Sequence, residues 1–187
     1  MDDWLALDCA RLWVRSIVFQ GDRLLHAHNS LNSSPVVGSA GLQKFREQMD
    51  RRLMEEQFFL DAVGKALRWV KVAKMRKPSL GQDVDRFLQQ LPEAGDVRNM
   101  REHDDAYFQG HGNKQAKFVK TAPIGKQQIS VTVDASSTIV WDGDYLIGGR
   151  LNVQKAIEAA RALFPCIEKA SNNCMKADVD QDGVQSQ

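Results

Sequence analysis

Apolar residues recur at helical spacing through most of the first hundred positions. Leu5, Cys9, Leu12, Trp13, Ser16 and Ile17 predict a first helix over 4–19, extendable through Leu24 and Leu25. Asn29 to Ser39 is rich in Asn, Ser, Pro and Gly and reads as a loop. Leu42, Phe45, Met49, Leu53, Leu60, Val63, Leu67 and Val70 then recur mostly in steps of three and four, which predicts one amphipathic helix from about 40 to 76. At ~1.5 Å per residue it spans roughly 50 Å and needs a long partner. An antiparallel hairpin with residues 4–28 supplies one. Lys77-Pro78-Ser79 ends the long helix. A short helix is expected at 82–91 and a turn at Pro92–Gly95. The next helix is expected over 97–109, with Asp96 as its cap and Gly110 as its stop.

Beyond residue 110 the period changes. Ile129, Val131 and Val133 alternate with polar residues as in a strand. Thr138 to Trp141 and Tyr145 to Ile147 flank Asp142-Gly143-Asp144, the pattern of a hairpin with an Asp-Gly turn. Val153, Ile157, Ala160, Phe164 and Ile167 predict a last helix, capped near Asn152 and ending before Asn172. The expected fold is mainly α: an antiparallel helical bundle over 1–110, a β-hairpin (small sheet) plus final helix over 111–170 packed on it, and a flexible tail over 171–187.

The 187-residue chain is 43% hydrophobic and 26% charged, which is an ordinary globular balance and argues against disorder. Its 25 basic and 24 acidic residues leave a net charge of +1, so any nucleic-acid contact has to come from a local patch. Met1-Asp2-Asp3 is acidic where a secretion signal is basic, and no stretch approaches the ~18 apolar residues of a membrane span. Cys9, Cys166 and Cys174 are too few and scattered for a disulfide framework or a zinc quartet, so a reducing cytoplasm fits best. Asn32-Ser33-Ser34 matches a glycosylation sequon but without a secretion signal is read as accidental.

The hexapeptide Arg98-Asn99-Met100-Arg101-Glu102-His103 carries the chemistry. On a helix Asn99 and His103 stack one turn apart, beside an apolar stripe of Val97, Met100, Tyr107 and Phe108. Arg98 lies in the first turn, where the helix N-terminus favours a phosphate. Arginine, amide and histidine suffice to cleave RNA without metal or cofactor, because the nucleophile is RNA's own 2′-hydroxyl. Histidine moves the proton, arginine holds the charged phosphorane with a planar fork of donors, and asparagine orients the histidine or binds a phosphate oxygen. The competing reading is a solvated face in which Arg98 pairs with Glu102 and Arg101 with Asp105.

Arg98-Asn99-x-x-x-His103 resembles the R-(N/D/H)-x-x-x-H signature of HEPN domains, which are antiparallel helical bundles. The resemblance implies that Arg98, Asn99 and His103 are catalytic, that the protein is a homodimer with two signatures facing one cleft, and that active members cut RNA without a metal. It also implies a non-catalytic alternative, in which the domain binds RNA or assembles with protein. The branch of the family that pairs with an antitoxin-type protein has a tyrosine two residues after the histidine. Here that position is Asp105, and the nearest tyrosine is Tyr107, which separates this chain from that branch.

Lys65, Arg68, Lys71 and Lys74 recur every three residues with no acid between 65 and 77, and read either as an RNA backbone track or as a solvated face. Lys114, Lys117, Lys120 and Lys126 read as sheet-edge lysines that block aggregation. Asp178-x-Asp180-x-Asp182-Gly183 opens like a calcium loop, but the chain ends before the twelfth-position acid. His26 and His28 lack companions spaced for a metal site.

Overall fold

A computed structural model describes residues 2–32, 38–124 and 129–184. Helix α1 (Asp3–Asn32) and helix α2 (Gly38–Arg76) form the expected antiparallel hairpin; α2 keeps nearly its expected bounds, while α1 runs on into the segment read as a loop from Asn29. Their register is constant. Lys65 Nζ lies 4.3 Å from the Trp13 ring centre, Arg23 bonds Glu55 at 2.6 Å, and Gln48 donates to the Ser30 carbonyl at 3.4 Å. Extending that register places Asn32 opposite Arg46, so residues 38–45 run on beyond α1. This is why Leu42 and Phe45, expected to point inward, are exposed.

A 3-10 turn over Pro78–Leu80 leads into α3 (Gly81–Gln90). The helix expected over 97–109 is instead two: α4 (Ala94–Glu102) and the single turn α5 (Asp104–Phe108), broken at His103. The Asp104 carboxylate accepts the Asp105 N–H at 2.7 Å, a local bond that competes with helix continuation and starts a new turn. The break also turns Asp104 to solvent, away from the apolar stripe that the unbroken helix would have forced it towards.

Strands β1 (Val119–Ile124) and β2 (Ile129–Asp134) pair antiparallel. A separate antiparallel sheet has the order β3 (Thr138–Trp141), β4 (Asp144–Ile147), β5 (Leu151–Asn152). Asp142 and Gly143 have φ of 49° and 83°, the positive values that a two-residue hairpin turn requires. Asn152 caps α6 (Val153–Val184), accepting the Lys155 N–H at 2.9 Å. The helix continues well past the expected end at Asn172, because Asn172 to Lys176 offers neither proline nor glycine to stop it. The segment 178–183 is therefore helical, not a calcium-binding loop.

One core joins the bundle. Leu7, Val14, Ile17 and Leu24 of α1 pack with Phe59, Leu60, Val63 and Val70 of α2, Val84 and Phe87 of α3, and Ile157, Ala160, Leu163 and Ile167 of α6. Helix α6, though last in sequence, is thus a wall of the bundle and lies along α1. No described helix is long and apolar enough to cross a membrane.

Candidate functional site

Helix α4 is fixed from beneath by an acid that sequence gave no reason to single out. Glu56 on α2 is 2% exposed. Its carboxylate accepts a short bond from Arg101 Nη2, bonds at 3.0 Å from the Thr138 hydroxyl, and one at 2.5 Å from the Tyr145 hydroxyl. Arg52 Nε stands 3.8 Å away. The cluster ties α2, α4 and the three-stranded sheet together. Burial and the adjacent Glu56 push the Tyr145 phenol well above its usual range, so it remains a donor. The His28 ring meets the Tyr145 ring edge-on at 5.1 Å. Burial and nearby Arg52 lower the His28 pKa, and Glu56 only partly opposes them.

Anchoring Arg101 inward sets the rotation of α4. Arg101 therefore does not pair with Asp105. Arg98 does form the i,i+4 ion pair with Glu102, and its Nη1 donates to Asn99 Oδ1 at 3.2 Å. Its stem lies along α2 at Gly64, where a Cβ would come within 3.1 Å of Arg98 Nε. Asn99 and His103 point out. The His103 N–H still donates to the Asn99 carbonyl at 3.2 Å, so the one-turn relation between them survives the helix break.

Asn99 and His103 line one open pocket of about 370 Å³. Asp96 joins them from α4, Ala106 and Tyr107 come from α5, and Gly112 to Lys114 close the far wall. Arg98 is not part of the lining. The wall is stapled: Gln115 bonds the Gly112 N–H and the Tyr107 carbonyl, each at 3.0 Å, and the Lys114 N–H donates to the Tyr107 hydroxyl at 3.1 Å. Beneath it Tyr107 stacks on Phe118, with Met100 and Ala135 completing a small second core. Phe108, expected in that stripe, is exposed instead.

Asp96 is not a helix cap. Its carboxylate receives Lys114 and, at 3.3 Å, Lys117. The Lys114 bond is the main reason its pKa is held below the usual carboxylate value, against the opposing effect of burial. Asp96 and Lys114 both line the pocket and pair with each other, while Lys117 reaches Asp96 from outside the lining. Lys114, read from sequence as a sheet-edge lysine, is therefore a site residue. Sequence spacing could not reveal this, because the loop from Gly110 to Lys114 had no predicted direction.

The basic series on α2 is only half free. Lys65 pairs with Asp61 at 2.9 Å, and Lys74 with Asp85 of α3 at 2.6 Å. Arg68 and Lys71 are exposed and have no ion pair among the described residues. Lys120 pairs with Glu93 at 2.6 Å, while Lys126 lies outside the described residues. Among the described residues no three His, Cys, Asp or Glu side chains gather as metal ligands do.

No family model, curated protein or solved structure shows significant similarity to this chain.

Proposed function

We propose that the chain is a HEPN-like, homodimeric RNA-binding protein that cleaves RNA at the pocket beside His103, with no resident metal. One observation carries this reading: Asn99, His103 and Lys114, an amide, an imidazole and an ammonium, open onto the same pocket. A phosphodiester seated there has its charge met by Lys114 and Asn99. His103 takes the 2′-hydroxyl proton as that oxygen attacks phosphorus. The bond to the 5′-oxygen breaks, and the imidazolium returns the proton to it. The products are a 2′,3′-cyclic phosphate and a 5′-hydroxyl. Arg98 joins the charge-holding set once the phosphate competes for it with Glu102. Arg68 and Lys71 extend the contact along the RNA backbone.

The test is incubation of structured RNA with purified protein in excess chelator, beside His103→Ala. The wild type is expected to cut and the variant not. Equal cutting by both, or cutting by neither, overturns the catalytic reading.

The Arg98–Glu102 ion pair favours a second reading, since it engages in the free protein the arginine that catalysis needs. The chain is then a non-catalytic RNA-binding or protein-assembly module. In that case Asn99→Ala and Lys114→Ala weaken RNA binding in a protein that never cleaves.

A further inference from the structure

The outer face of α1 carries an exposed apolar line, with the Arg23 guanidinium over the Phe19 ring at 5.7 Å from its centre. Leu5, Leu12 and Phe19 are 43%, 49% and 59% exposed. They stand seven residues apart, a spacing that drifts only ~20° per repeat, so they run in one line along the helix. Val14, Ile17 and Leu24 occupy the opposite, fully buried face. Cys9 and Ser16, both half-buried, fill the intervening positions of the line. The Ser16 hydroxyl donates to the Leu12 carbonyl at 2.8 Å, so its proton is already used within the helix. This is a coiled-coil seam with one strand missing.

We propose that the missing strand is α1 of a second copy of this chain, packed antiparallel about a two-fold axis near Leu12. Charge selects the occupant. Asp8, Arg15 and Asp22 share one flank of the seam at one heptad position. Antiparallel packing of Leu12 against Cys9 of the second copy brings Asp8 opposite Arg15 of that copy, and the two-fold axis repeats the pair. Asp22 is already bonded to Arg161 of its own chain at 3.2 Å. Arg15 has no ion-pair partner among the described residues, and Asp8 has only Arg11, at 2.8 Å. A flank that is its own complement under two-fold rotation fits an isologous contact.

Helix α1 meets α2 at Glu55 and Lys65, whereas α4 meets α2 at Glu56 and Gly64, on a different face. The inference rests on the homodimer half of the reading above and not on its chemistry.

Sedimentation equilibrium over a concentration series tests it. The wild-type chain is expected to have the mass of two chains. Leu12→Glu and Asp8→Arg are each expected to have the mass of one chain, with the helical circular dichroism of the wild type. Asp8→Arg combined with Arg15→Asp restores the two-chain mass. A one-chain wild type, a Leu12→Glu protein that still dimerises, or a double variant that fails to recover overturns the proposal. RNA cleavage assayed on the same samples reports on the catalytic reading alone.

Discussion

Arg101 on the motif helix donates to Glu56, 45 residues earlier on α2, and this bond decides which face of the hexapeptide meets solvent. Arg101 is drawn inward, so Asn99 and His103, two residues to either side of it, face out. The arginine that the sequence offered as a surface residue is the one that holds the site in place.

Arg101→Ala leaves the Glu56 carboxylate buried without its closest cation, and breaking a buried pair in this way costs about 3–5 kcal/mol. Arg98→Ala removes only a partly exposed i,i+4 pair, worth ~0–1 kcal/mol. Urea unfolding of the two variants should separate them by that margin. Equal losses would mean that Glu56 is not the anchor.

Tyr145→Phe keeps the ring in the core and deletes one donor to Glu56. A loss of about 1–3 kcal/mol is expected, the cost of an acceptor left short of a partner. Thermal unfolding measures it, and an unchanged transition would place the Tyr145 hydroxyl outside the cluster.

His28 makes stability acid-sensitive. Its folded pKa lies below its unfolded value, the ordinary one of 6.5, because burial and Arg52 disfavour the proton. As pH falls through 6.5 the unfolded chain takes up that proton before the folded one does. Stability from this residue is therefore complete above 6.5 and declines as pH drops towards the folded pKa. Melting temperature against pH should slope downward there in the wild type and less so in His28→Gln. Parallel curves would contradict the assignment.

Gly112 gives the pocket its far wall. A Cβ there would lie 2.2 Å from the Tyr107 ring, so ring or loop must move. Gly112→Val is expected to cost about 1–3 kcal/mol as an overpacked site and to weaken RNA binding several-fold. Retained affinity, read by fluorescence anisotropy, would place RNA elsewhere on the surface.

The helices were legible because each buries a periodic apolar face. The Asp-Gly hairpin was legible because its turn needs two positive φ values. The break at His103 was hidden, since its cause is a side-chain bond from Asp104 rather than a glycine or proline. The pairing of Arg98 with Glu102 was open to i,i+4 reasoning. The bond of Arg101 to Glu56 was not, because it joins distant parts of the chain, and two adjacent glutamates on a long helix look like solvent-facing acid. Lys114 entered the site for the same reason: the loop folds back along α4 and pairs it with Asp96.

The central claim is that His103 and its neighbours act on the RNA's own 2′-hydroxyl. The most direct measurement compares cleavage, in chelator, of an end-labelled RNA with cleavage of the same RNA carrying one 2′-deoxy nucleotide at the mapped cut. The account predicts that wild-type protein cuts the first, leaving a 2′,3′-cyclic phosphate, and spares the second at that position. It also predicts that His103→Ala, folded like the wild type, cuts neither. Cleavage at the deoxy position, or cleavage that survives the loss of His103, would contradict it.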